Sequence, residues 1–239
     1  YMTQGAHQAS VVEEELENGS PRGQASAQGM RRGPGLGAML ESSRSLGAGG
    51  YKSSSTGTAA KMFAQPFAGT MDHAWVMTHG AETGKVPMAE LFRLSDEGKV
   101  RDLRWALKED AFRSFAFAHP ESGILLVDTY DPIQGMENAI QVIKELHALG
   151  LGANYGIRFD SGDIVEYSKI ALKRFAEEGF IDGIDPAQVG GMTHEQLLKH
   201  AEKSRVFVSA ADGIDEYSAQ EMRAAGAFFR SWGIGTAGS

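Results

Sequence analysis

The chain has 239 residues, 42% of them hydrophobic, and a formal net charge of −8. That length allows one large domain or two small ones with a sizeable core, and the acidic balance shows no basic patch, which argues against a nucleic-acid partner. Cysteine is absent, which removes disulfides, thiolate catalysis and zinc–thiolate sites and fits a cytoplasmic protein. No run approaches the roughly 18 apolar residues needed to cross a bilayer, and no basic start followed by an apolar stretch marks a signal peptide, so no membrane partner is expected.

Residues 1–33 are predicted to form a loosely ordered segment. A short helix is readable in ASVVEEELE, where Val12 and Leu16 are four apart, and NGSPRGQASAQG is small, polar and turn-rich. From residue 34 to 239 the pattern predicts one α/β core. LGAMLESSRSL reads as a helix stopped by GAGG. SSSTGTAAKMFA offers hydroxyl residues to cap a short helix. The apolar stretch PFAGT precedes a helix from His73 to Met77. Residues 80–108 have a mixed pattern and read partly as a surface excursion.

The rhythm is clearest from residue 111. AFRSFAFAH is helical, and GILLVD is a continuous apolar run, as expected of a strand covered on both faces. NAIQVIKELHALG carries an apolar stripe at 139, 140, 143, 146 and 149 and ends in Gly150. NYGIRFD is the next strand and DIVEYSKIALKRFAEEG the next helix. SRVFVSA, IDEYSAQEMRAAG and WGIGT follow as strand, helix and short strand. This alternation predicts a mainly parallel sheet, open or closed, with the ligand site at the carboxyl ends of its strands.

Those ends carry Gly69-Thr70 with His73 just beyond, Asp128 to Asp131, Arg158 to Asp163, Asp212-Gly213, and Gly233 to Thr236. Asp128 with Asp131, and Asp160 with Asp163, bracket turns after apolar strands. Such hard oxygens suit Mg²⁺ bridged to substrate phosphates, or ribose hydroxyls. The plainer alternative makes Asp131 a turn former and Asp163 a helix-start residue. Arg158 lies inside a strand, on the same face as Asp160 by the period of two. It is either salt-bridged to a nearby aspartate or aimed at a ligand carboxylate or ring. GIGTAGS offers backbone N–H groups to a phosphate, although no helix follows to complete a dinucleotide fingerprint. His73 is either a general base or nucleophile, or a half-buried polar residue.

Taken in order, MRRG (30–33), AGTMDHAWVM (68–77), GILLVDTYD (123–131), GIRFDSGDI (156–164), VSAADGIDE (208–216) and WGIGT (232–236) resemble nicotinate phosphoribosyltransferase, over roughly residues 29–239. The resemblance implies an irregular α/β barrel of the type II phosphoribosyltransferase kind and a homodimer with shared active sites. It implies transfer of phosphoribosyl from phosphoribosyl pyrophosphate to nicotinate in NAD salvage, with Mg²⁺, and with ATP hydrolysed through a phosphohistidine. In that reading His73 is the phosphorylated histidine and Arg158 contacts the pyridine. Asp160 and Asp212 face the ribose hydroxyls, and Asp128 lies near pyrophosphate and the metal. Gly235 and Thr236 hold the 5′-phosphate, and Arg31 and Thr70 line the substrate end. Against the family, the barrel is expected to be incomplete. The N-terminal domain and the segment after GIGT are missing, SAQG is a poor match to the strand before MRRG, and Ala74 stands where a hydroxyl is common. The alternatives are the related nicotinamide enzyme and a non-catalytic nucleotide-binding relative or fragment.

Overall fold

The structure, a computed structural model, describes residues 24–27, 35–81, 84–211 and 213–234. Six strands form one sheet: β1 (Gln24–Ala27), β2 (Ser53–Ser54), β3 (Ser122–Leu126), β4 (Asn154–Phe159), β5 (Val206–Ala211) and β6 (Ser231–Ile234). Their order is β2-β1-β6-β5-β4-β3, and every pair is parallel. The helices are α1 (Leu36–Ala48), α2 (Gly57–Met62), α3 (His73–Met77), α4 (Met88–Asp96), α5 (Val100–Lys108), α6 (Ala111–Ala118), α7 (Pro132–Ala148), α8 (Ile164–Glu177), α9 (His194–Leu198) and α10 (Glu216–Ala224). The helix read at residues 9–17 lies outside the described residues, as do Arg31, Asp212, Gly235 and Thr236.

The two faces of the sheet have opposite chemistry. Tyr155, Ile157 and Phe159 of β4 are fully buried, as are Val206, Val208 and Ala210 of β5, and they pack in the hydrophobic core with α7 and α8. The alternate positions carry more small and polar groups, with Ile124 and Phe207 among them. Ser26, Ser53, Asn154, Ser231, Ile124 and Phe207 come one from each strand, and together with residues 68–70 they line a single cavity of 390 Å³. A flat six-stranded sheet would spread these residues over roughly 24 Å, since neighbouring strands are about 4.8 Å apart. The sheet therefore curls as the wall of a barrel. Residues 67–70 run from one sheet edge to the other: Phe67 bridges Ser54 beside β2, and the Thr70 hydroxyl donates to the Ile124 carbonyl of β3 at 2.6 Å.

Most predicted elements from residue 34 onward are present within a residue or two. Four expectations change. Residues 80–108 hold two helices, α4 and α5, and Met88 and Leu91 of α4 enter the core. The hydroxyl residues before α2 do not cap it through Thr56, whose side chain makes no capping bond; instead the Ser54 hydroxyl accepts from the Thr56 amide at 3.1 Å. Leu149 leaves the α7 stripe and is exposed, because α7 ends there and the chain reverses through Gly150 at φ 73°. SAQG (26–29) reads as a poor strand, yet β1, which includes its Ser26 and Ala27, pairs with both β6 and β2.

A buried charge cluster joins α6 to α7. Arg113 donates to Asp110 at 2.7 Å and to Glu145 at 2.5 and 2.9 Å, and Glu145 also accepts from the Met88 amide at 2.9 Å. Burial alone would raise the Glu145 carboxyl, but the bonds from Arg113, Met88 and Gln141 outweigh it and hold it below the usual carboxylate range. Because the folded value is the lower one, this contribution is complete above the unfolded value and is lost as pH falls through the folded one. Arg113→Met strands two carboxylates and is expected to cost about 3–5 kcal/mol in urea unfolding at neutral pH. Gly135 of α7 tests the helix–strand contact, because a Cβ there would lie 2.0 Å from the Val127 carbonyl oxygen. Gly135→Ala is expected to cost about 1–3 kcal/mol of stability, seen as a lower urea midpoint at unchanged m-value.

Candidate active site

The site is built on the carboxyl ends of β3 and β4. After Leu126 the ladder continues one step, with the Val127 amide donating to the Arg158 carbonyl at 3.2 Å. Asp128 follows, 8% exposed. Its Oδ2 accepts from the Asp160 amide and from the Ser161 hydroxyl, both at 2.7 Å. One carboxylate oxygen thus ties the end of β3 to the turn after β4. The other, Oδ1, is buried and accepts no hydrogen bond among the described residues.

That tie sets the neighbouring groups. Arg158 and Asp160 lie on one face, as the strand period requires, with Nη2 of Arg158 3.7 Å from Oδ2 of Asp160. Arg158 Nη2 also donates to the Met71 carbonyl at 3.3 Å. Of the two sequence readings of Arg158, the structure shows the aspartate contact. His73 begins α3, whose amide end is capped by Asp72 accepting from the Trp75 amide at 2.8 Å. Its Nε2 lies 3.7 Å from Oδ2 of Asp160, and its Nδ1 is 3.1 Å from the Thr129 hydroxyl.

His73, Asp128, Arg158 and Asp160 therefore converge. Thr70 anchors the chain leading into α3 but spends its hydroxyl on β3. Asp131 and Asp163 take the plainer roles, capping α7 and α8 by accepting from the Gln134 and Glu166 amides at 2.7 and 3.0 Å. Between Asp160 and Asp163 the chain turns through Gly162 at φ 76°, a conformation that favours glycine. Two members were missed by the sequence reading. Ser161 stands two residues before an N-cap and carried no signal beyond its hydroxyl. Thr129 touches a residue 56 positions away, which no local pattern reports.

Proteins named nicotinate phosphoribosyltransferase match this chain. The Bacillus subtilis relative is 30% identical over 210 residues, covering 87% of this chain and 32% of that protein. The Caenorhabditis elegans relative is 30% identical, over 65% of this chain and 31% of its own length. This chain is a homologue of part of the nicotinate phosphoribosyltransferases. It spans about a third of the length of the curated relatives it matches. The fold agrees: human nicotinic acid phosphoribosyltransferase aligns with a TM-score of 0.67 and 21% identity over 98% of this chain and 47% of that one. The Porphyromonas gingivalis nicotinate phosphoribosyltransferase aligns at 0.60 and 19% identity, over 98% of this chain and 48% of its own. No family model matches the chain.

The Asp128 tie separates charge from structure. Asp128→Ala leaves two donors at the rim without an acceptor and is expected to cost about 1–3 kcal/mol in urea unfolding. Asp128→Asn keeps an acceptor oxygen there and is expected to lose less than half as much. Equal losses in the two variants would contradict the hydrogen-bond account.

Proposed function

We propose that this chain forms the catalytic rim of a nicotinate phosphoribosyltransferase, joining nicotinate to phosphoribosyl pyrophosphate and releasing pyrophosphate. The convergence of His73, Asp128, Arg158 and Asp160 on one strand-end rim carries the reading, in a chain homologous to enzymes of that name.

Each group has a task that its surroundings suit. Ribosyl transfer develops positive charge at the anomeric carbon as pyrophosphate leaves. Asp160 presents a carboxylate at the rim, 20% exposed, where it can accept from ribose hydroxyls and face that charge. Arg158 is held against the Met71 carbonyl and Asp160, so its planar guanidinium is pre-oriented toward the carboxylate or the ring of a pyridine. Held in place in this way, the reactants gain the entropic advantage of proximity.

Mg²⁺ fits this rim only as a bridged ion. Among the described residues no three carboxylate or imidazole groups gather as a metal cage. Two carboxylates facing a polyanionic substrate nevertheless need a cation between them, and Asp128 Oδ1 has no partner among the described residues. Mg²⁺ typically uses one or two carboxylates plus substrate phosphates and water. Asp128 would hold it, and the ion would neutralise the leaving pyrophosphate. His73 is assigned to the ATP coupling, its imidazole facing the rim as acceptor of a phosphoryl group. Arg31, Thr70, Asp212, Gly235 and Thr236 are assigned to substrate contacts on the strength of the sequence resemblance, with a homodimer as the assembly.

The test is pyrophosphate release dependent on both nicotinate and phosphoribosyl pyrophosphate. Arg158→Lys keeps the charge but not the planar fork and is expected to raise the KM for nicotinate roughly tenfold or more. His73→Ala is expected to abolish stimulation by ATP while leaving slow basal transfer. Because the chain spans about a third of its relatives' length, a binding-only role is the second reading. Calorimetry would then show phosphoribosyl pyrophosphate bound without turnover, and an equal preference for nicotinamide would shift the substrate assignment.

A further inference from the structure

We propose that Thr129 is a positioning residue for His73: its hydroxyl holds Nδ1 and so turns Nε2 toward Asp160 and the open side of the rim. The assignment of the ring rests on geometry, and only its use in ATP coupling rests on the function proposed above.

An imidazole does not orient itself. The torsion that turns a histidine ring joins an sp³ to an sp² carbon and has broad, roughly two-fold wells, so a flipped ring costs little unless a hydrogen bond selects one face. His73 starts a helix of five residues, too short to be stable alone. Its backbone is placed by the Asp72 cap, by the Trp75 indole donating to the Ala111 carbonyl at 3.0 Å, and by the burial of Val76. None of these touches the ring. The Asp160 oxygen at 3.7 Å is beyond hydrogen-bond range, so it does not fix the ring through a hydrogen bond. Among the described residues the Thr129 hydroxyl, at 3.1 Å, is the ring's one hydrogen-bond partner.

Thr129 is well placed to serve as a fixed point. The residue before it is locked to the β4 turn through the Asp128 carboxylate. Two residues later Asp131 caps α7. A two-residue segment between two anchored ends has little freedom, so the hydroxyl is presented from a rigid support. A hydroxyl both donates and accepts. It can therefore hold Nδ1 whether or not that nitrogen bears a proton, and it strengthens its hold when the ring becomes cationic. Nε2 is left as the nitrogen that meets a reaction partner.

The test compares Thr129→Val, which keeps the shape and removes the hydroxyl, with Thr129→Ser, which restores it. Long-range 1H–15N spectra of the ¹⁵N-labelled full chain report both ring nitrogens, with His73→Gln identifying the signals. The expected result is a moved Nδ1 resonance in Thr129→Val and a wild-type one in Thr129→Ser. If the valine variant does not fold, Thr129→Ala makes the same comparison. An Nδ1 resonance unchanged in the variants that lack the hydroxyl overturns the proposal, as does failure of serine to restore it. In the pyrophosphate assay, Thr129→Val is expected to lose ATP stimulation roughly five- to tenfold, the size of one hydrogen bond, with serine rescuing it. If wild type shows no ATP stimulation while the ring still responds, the positioning role stands and the phosphoryl role of His73 falls.

Discussion

One buried carboxylate organises the rim. Asp128 ends an apolar strand, and its Oδ2 takes both the Asp160 amide and the Ser161 hydroxyl at 2.7 Å. Such charge-assisted bonds are stronger than neutral ones, and here the accepting carboxylate is buried. They clamp the carboxyl ends of two adjacent strands. Everything proposed to do chemistry hangs from that clamp. Asp160 is bonded through its own backbone, Arg158 lies two residues earlier on the same face, and Thr129 follows Asp128 directly. His73 comes from a different part of the chain and meets the clamp through Thr129 and Asp160.

The placement of Arg158 follows from the unusual division of the sheet. The outward face of β4 carries Tyr155, Ile157 and Phe159 into the hydrophobic core. The inward face carries Gly156 and Arg158, with Ser209 of β5 in register beside Arg158. The small Ser209 leaves room for a guanidinium on that side, and Gly156 is required because a Cβ there would lie 2.6 Å from the Phe207 ring. A charge that would be costly unpaired is thus accommodated by the Met71 carbonyl and Asp160.

The same division explains what was legible in the sequence. From residue 111 onward, strands with an apolar outer face alternate with amphipathic helices, and Gly150 and Gly179 end α7 and α8 in the left-handed region. Arg158 stood out because it interrupts an apolar run at the period of its strand. β1 and β2 were hard to read, because QASA and SS present small residues to a lumen and lack the apolar alternation that marks a strand. α4 was obscured in a different way. Its core positions Met88, Leu91 and Leu94 recur every third residue, but Arg93 and the two glutamates it pairs with, Glu90 and Glu97, dominate the composition. Thr129 was beyond reach, since its partner is decided by the packing of α3 against the β3 end.

A crystal structure of the chain with phosphoribosyl pyrophosphate, Mg²⁺ and nicotinate tests the account most directly. It predicts ribose hydroxyls within hydrogen-bond distance of Asp160, the pyridine against Arg158, and pyrophosphate on the Asp128 side. Ligand bound elsewhere in the barrel, with Arg158 and Asp160 still facing only each other, would contradict it.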